Sequence, residues 1–457
     1  MVEDEVHECR RTSLPADGGH SVTSAGGTIA GLPGLWRMTE PLDAAGDGMT
    51  VEFLGRLGGA MMTANYPADL VRRTLTLSAE HCGLTNYVLV LPNYIQVGGP
   101  NRTEGTRVRV VHGGGDLRYD QTFPLAALVD RAESGRITPV DGLAELDRIY
   151  ALRPRFPGWV GVLGYAVQSA GFALILQPTP VALLAAVGFG LLVGVLSLIG
   201  RFTEAIGHLL PAISAFLVAL AAFTVNRFWY LGEASLRLLI PPLAVFMPGV
   251  AITLAVIELT TGEEESGSIR LMAGFMRLAQ LAFGILIAAQ LAGLTASQLS
   301  TASVNKLGTW APWLGVAVYA LGILFYLGPP TWFLPWVWVT MFVSYGSQVI
   351  AGAVFGSYAS GFGGGLALTL CALVLSQRPN APPATVLILP GFWMLVPGSI
   401  GLIGVTELIN AASSTMFSVT LISLLSIALG VQAGLLSWRV LRKLYSVVRN
   451  PRPQSGD

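Results

Sequence analysis

The sequence predicts a polytopic α-helical membrane protein. Ten transmembrane helices form a 5+5 inverted repeat, preceded by a small cytoplasmic α+β domain. Three observations carry this. Of 457 residues, 53% are hydrophobic and only 12% charged, against about 25% charged in soluble globular proteins. The polarity is split: residues 1–157 read as an ordinary polar chain, while long apolar runs with short polar breaks fill Gly158 to Trp438. Finally, two membrane-length stretches repeat each other. LIPPLAVFMPGVAITLAVIEL (239–259) and ILPGFWMLVPGSIGLIGVTEL (388–408) align at an offset of 149, which places Pro241 on Pro390, Pro248 on Pro397, Gly249 on Gly398 and Glu258 on Glu407.

Residues 1–47 are rich in Gly, Ser, Asp and Thr without periodicity and are expected to be disordered. No basic stretch followed by an apolar core opens the chain, so no cleavable signal peptide is expected. The domain 48–157 begins with a helix carrying Val51, Leu54, Leu57 and Met61 on one face. A second helix starts at Pro67, a favoured first position, and stops at Gly83. Tyr87–Leu91, Tyr94–Val97 and the alternating Arg107-Val108-Arg109-Val110 read as strands. Helices over 124–134 and 139–152 follow, the second opened by Thr138 and Asp141 at capping-box spacing.

This domain offers no catalytic set. His112-Gly113-Gly114-Gly115 matches an oxyanion-loop motif, yet no Gly-x-Ser-x-Gly elbow accompanies it, so a glycine-rich turn after a strand is the plain reading. His81 and Cys82 are adjacent and would point about 100° apart on a helix, which makes a poor dyad. Cys9, Cys82 and Cys371 give neither a disulfide framework nor metal-ligand spacing. No metal and no cofactor are expected. With 27 basic and 27 acidic residues, nothing points to nucleic acid.

The membrane part divides into spans near 158–177, 180–200, 207–226, 236–259 and 271–295 in a first repeat (158–295). The second repeat (310–438) has spans near 310–328, 332–350, 353–376, 384–408 and 414–438. A basic tail, 439–457, carries Arg439, Arg442, Lys443, Arg449 and Arg452 and is cytoplasmic by the positive-inside rule. An even number of spans then places the N-terminal domain on the same side. Arg153 and Arg155 agree, as do Arg201, Arg270 and Arg378, which fall in loops expected inside. Arg227, Arg237 and Lys306 fall outside and disagree. Trp332, Trp336 and Trp338 could anchor one membrane interface. Because the offset maps the fourth span onto the ninth, each half holds five spans, and an odd number inverts one half relative to the other.

The repeated motif is where chemistry is expected. Proline inside a helix removes a backbone hydrogen bond, and the adjacent glycine loosens the turn. Breaks at Pro248-Gly249 and Pro397-Gly398 start new half-helices near mid-membrane, whose free N–H groups and positive dipole ends suit a carboxylate. Thr253, one turn past the first break, is the leading candidate for contact with a substrate hydroxyl or amine. Glu258 and Glu407 lie nine residues past the glycines, about 13 Å along the helix. They sit near opposite faces at helix C-termini, where a carboxylate wants a cation, water or a proton, and are candidates for proton coupling or gating. The other polar residues within spans are Gln168, Ser169, Gln280, Gln290, Ser344, Gln348 and Thr406, which can equally bond between helices. Gly352, Gly356, Ser360 and Gly364 read as a small-residue packing ridge on the eighth span, and Glu263-Glu264-Glu265 as a solvated loop.

On these residues the chain resembles the bacterial threonine/serine exporter family over roughly 50–440. The resemblance rests on MPGVAITLAVIELTTG, SGSIRLMAGF, LPGFWMLVPGS and the α+β domain. It implies a proton-coupled secondary transporter of the bacterial inner membrane that exports threonine and serine, small-molecule substrates, with membrane lipid around it. Whether it forms a homo-oligomer stays open. Split relatives linked to dicarboxylates make dicarboxylate export an alternative, although no Lys or Arg lies close to either break. A membrane-anchored hydrolase or sensor acting through the N-terminal domain is the alternative of another class. The two lysines, Lys306 and Lys443, follow no glycine-rich loop, so no ATP-binding motif is present.

Overall fold

The computed structural model describes residues 46–83, 87–92, 94–101, 105–112, 117–176, 179–200, 204–228, 236–293, 307–378, 380–395 and 414–449. The tail 1–45, Gly113 to Gly115, Arg201, Lys306, Pro397, Gly398, Thr406, Glu407 and Arg452 lie outside the described residues.

An α/β layer comes first: α1 (Gly46–Thr63), α2 (Ala68–His81), β1 (Tyr87–Leu91), β2 (Tyr94–Asn101), β3 (Gly105–His112), α3 (Tyr119–Glu133) and α4 (Pro139–Ala151). The strands form an antiparallel sheet in the order β1-β2-β3, with Val90 opposite Ile95 and Val97 opposite Arg109. Leu57 and Met61 of α1, Leu75 of α2, Ile95 of β2, Leu128 of α3 and Leu146 of α4 share one buried core. A Cβ on Gly142 would lie 2.3 Å from the Phe53 ring, so α4 crosses α1 at a position only glycine fits. Two expected starts shift. Pro67 caps α2 rather than opening it. The third helix begins at Tyr119, five residues before Pro124, because the Gln121 side chain caps its start: the Arg118 N–H donates to Gln121 Oε1 at 2.9 Å, and the Gln121 N–H donates to the Arg118 carbonyl at 2.9 Å.

The membrane part comprises α5 (Gly158–Ile175), α6 (Pro180–Gly200), α7 (Glu204–Phe228), α8 (Leu236–Leu243), α9 (Gly249–Thr261) and α10 (Glu264–Leu291). After them come α11 (Ala311–Leu327), α12 (Leu334–Phe355), α13 (Ser357–Leu375), α14 (Ala384–Met394) and α15 (Ser414–Arg449). Among the described residues seven helices are long and apolar enough to cross a membrane, eight if the bent α8–α9 pair is one span; α11 and α14 are shorter apolar helices. The chain is a mostly helical, polytopic membrane protein.

Three expectations change here. Helix α10 begins at Glu264, so Arg270 stands in its second turn rather than in a loop, and Glu264 and Glu265 form its acidic first turn. Such acids complement the positive helix end. The glycine ridge is not on one helix: Gly356, at φ +90, is the turn between α12 and α13. Ser360 then donates to the Gln348 carbonyl at 3.1 Å across that turn. The basic tail starts as a continuation of α15 rather than after it.

Helices α5 and α11 run antiparallel in backbone contact. A Cβ on Gly171 would lie 2.3 Å from Tyr319 N, one on Gly164 2.4 Å from Tyr326 N, and one on Gly315 2.7 Å from Gly171 O. Glycines at such crossings let backbones approach where lipid supplies no hydrophobic drive. Ser169 donates to Ala186 O at 2.8 Å and Ser344 to Gly364 O at 3.1 Å, so these two span residues bond between helices.

The α/β layer rests on a defined set of helix ends. Tyr119 donates its hydroxyl to the Val386 carbonyl at the start of α14. Phe123 meets Trp332 and Phe333, before α12, edge-on at 5.7 and 5.0 Å. Ser266, in the first turn of α10, donates to Val90 O at 3.2 Å.

Candidate functional site

The site is built around α9. Pro241 and Pro242 end α8 early by removing two N–H donors. A 3-10 turn, Ala244–Phe246, follows, and Pro248 caps α9 at φ −80, ψ 36. The chain bends there by 61°. The first helical bond of α9 is Ile252 N–H to Pro248 O at 2.9 Å. The N–H groups of Gly249, Val250 and Ala251 therefore precede the ladder and take no partner within the helix. Thr253, one turn on, is fully buried, and its hydroxyl has no hydrogen-bond partner among the described residues. A threonine within a helix can point to solvent or bond the carbonyl four residues back. This one leaves both donor and acceptor free.

At its other end α9 is locked. Glu258 is completely buried rather than solvated. Arg270 Nε lies 3.1 Å from its Oε1 and 3.0 Å from its Oε2, and the Ala68 N–H donates to Oε1 at 3.0 Å. Ala68 opens α2, so a second helix N-terminus faces this carboxylate. Arg270 also donates through Nη2 to the Tyr66 carbonyl at 3.2 Å. Arg72 pairs with Glu263 just beyond, so the expected solvated acidic loop is in part an ion pair to the α/β layer. Gly262, at φ +90, turns the chain from α9 into α10, a conformation glycine adopts without Cβ strain.

A cavity of about 710 Å³ lies between α9, α14, α15 and the α/β layer. On α9 it reaches from Val250, next to the break, to Thr260 and Thr261. Tyr66, Asp69, Thr385 and Arg439 stand around the layer end. Burial pushes the Tyr66 phenol above its ordinary value, against a hydrogen bond with Thr385 that pulls it down. Thr260 and Gln432 hydrogen-bond, tying α9 to α15 along the cavity wall.

Of the residues expected to act, Pro248 and Gly249 form the break, Thr253 follows it, and Glu258 stands about 13 Å away at the far end of α9. Pro397, Gly398 and Glu407 lie outside the described residues. Sequence reasoning missed the partners of Glu258. Arg270 could have been found: an arginine seven residues into an apolar helix, twelve after a buried glutamate, needs a counter-ion. The Ala68 N–H had no signal, because only the tertiary fold brings it there.

Residues 52–292 match the model of the family described as "Putative threonine/serine exporter". The chain belongs to this family. The match spans α1 through α10, and so includes the broken helix and the Glu258–Arg270 pair of this exporter-family chain. Exporters rather than enzymes make up the family. No curated protein matches the chain, and no solved structure matches it.

Proposed function

We propose that the protein is a proton-coupled secondary exporter of threonine and serine in the bacterial inner membrane, with both termini cytoplasmic. The observation that carries this is the α8–α9 break. It leaves N–H groups without a helical partner one turn before the buried Thr253, and Val250, next to Gly249, lines the inner end of a cavity that reaches the α/β layer. A substrate carboxylate would take those N–H groups, and Thr253 its hydroxyl or amine. Pro397 and Gly398 would supply the matching half-helix.

Ten spans in a 5+5 inverted repeat fit the helix boundaries. Shifted by 149, α5 falls on 307–324, α6 on 329–349, α7 on 353–377, α8 on 385–392 and α10 on 413–440, each overlapping α11, α12, α13, α14 and α15 in turn. The counterparts α5 and α11 run antiparallel, as inversion requires. The contacts with the α/β layer fall at the start of α10, the turn before α12 and the start of α14, ends that ten alternating crossings put on one face.

Glu258 would act as a latch. Charged, it holds α9 to α10 and to α2; protonated, it loses the charge that Arg270 and the α2 N-terminus hold. Glu407 would serve as the proton carrier of the second half. Threonine counterflow in proteoliposomes, with and without a pH gradient, tests the reading. Gly249→Leu and the Gly249→Leu, Gly398→Leu pair should abolish exchange while the protein still folds. Exchange equal to wild type in the pair would sink the proposed site.

A further inference from the structure

The cavity between the α/β layer and helices α9, α14 and α15 is too large and too apolar for threonine alone. Threonine has eight heavy atoms. Even at the about 30 Å³ of a liquid water each, they fill about 240 Å³, a third of the 710 Å³ present. Cavities of 300–1,000 Å³ ordinarily hold drug-sized ligands.

The lining is also graded. The deep end is apolar, with Val250, Leu254 and Ile257 on α9 and Leu389 and Phe392 on α14. Val250 and Thr261 are eleven residues apart, so the gradient extends about 16 Å along α9. At the layer end stand Asp69 on α2 and Arg439 on α15, and neither makes an ion pair among the described residues. Thr260, Thr261 and Thr385 add hydrogen-bonding groups there.

We infer that this cavity binds a zwitterion with a bulky apolar side chain, an apolar amino acid or short apolar peptide. Its ammonium meets Asp69, its carboxylate meets Arg439, and its side chain lies against Leu254, Leu389 and Phe392. The inference rests on the export reading and adds to it a second binding position, at the layer end of the same cavity and apart from the carboxylate site at the α8–α9 break, for larger apolar cargo.

Binding can be tested apart from transport. The full-length protein in nanodiscs is titrated with labelled L-phenylalanyl-L-leucine and with labelled threonine. The dipeptide should bind at least tenfold more tightly than threonine. Leu254→Trp, which fills the deep end, should weaken the dipeptide tenfold or more, and Arg439→Gln severalfold. Leu389→Trp is the second filling variant, and thermal unfolding shows which variants remain folded. A dipeptide that binds no better than threonine overturns the inference, as does binding indifferent to both tryptophans. So does displacement by one equivalent of lysophosphatidylethanolamine from a site that both tryptophans leave intact, which would mark a lipid site. If the dipeptide binds as expected but neither compound is exchanged across proteoliposomes, the export reading fails and the binding site stands.

Discussion

The Nε of Arg270 lies within 3.1 Å of both carboxylate oxygens of Glu258, and the glutamate has no exposed surface at all. A buried pair of this kind contributes little over apolar residues of equal volume, but losing one partner strands the other charge. Arg270→Met should therefore destabilise the protein by about 3–5 kcal/mol, and Glu258→Leu combined with Arg270→Met should recover much of it. Thermal unfolding in detergent of the two variants side by side decides this. Equal losses in both would show that the pair is not what holds this corner.

Two glycines give a paired prediction about helix packing. Gly171→Ala places a methyl 2.3 Å from Tyr319 N, whereas a Cβ on Gly188 meets nothing within 4 Å. The first substitution should cost about 1–3 kcal/mol by overpacking. The second should be neutral or stabilising by up to about 1 kcal/mol, since alanine favours the helix. Midpoints of unfolding that shift alike would refute the close crossing of α5 and α11.

The two repeated glutamates should differ under substitution. The offset of 149 carries Arg270 onto Val419, and no Lys or Arg occurs between 379 and 438. The second repeat thus carries no basic residue at the position that matches Arg270. Glu407→Gln should flatten the pH dependence of exchange while leaving stability near wild type. Glu258→Gln strands the Arg270 charge, a loss of about 3–5 kcal/mol, and should lower the unfolding temperature by a few degrees, at about 1 °C per kcal/mol in a chain this size. Exchange measured from pH 5 to 8, alongside melting curves, separates the two roles.

Alkali should titrate Tyr150 late. Burial pushes its phenol up to about 12, with Arg56 and a hydrogen bond to Thr63 acting the other way. The folded value is raised above the unfolded one near 10, so the stability it contributes is complete below pH 10 and is lost as pH rises through about 12. The ultraviolet tyrosinate difference between wild type and Tyr150→Phe should rise near pH 12, not near 10.

Much of this fold is legible because the signals are local. Helix α4 was read from Thr138, and its side chain does accept from the Asp141 N–H, at 3.2 Å. Pro248-Gly249 marked the break because proline and glycine act on the backbone next to them. Pro124 misled because a helix tolerates proline near its start when a cap upstream, here Arg118 with Gln121, has already fixed the first turn. Gly356 misled for a different reason: small-residue spacing looks the same whether it runs along one helix or across a turn between two. The site was legible at the break and not at its far end. Glu258 depends on Ala68, 190 residues away, and no spacing in the sequence encodes that meeting.

The contact between α5 and α11 has a mechanical consequence. With Gly164, Gly171 and Gly315 at the seam, backbone meets backbone and no compressible side chain lies between. The two helices can slide or close on each other only by steric overlap, so they move as one rigid beam. Among the described residues the chain already departs from straight helix at the 61° bend before Gly249 and at the Gly356 turn, so rearrangement is expected there before it is expected at the seam.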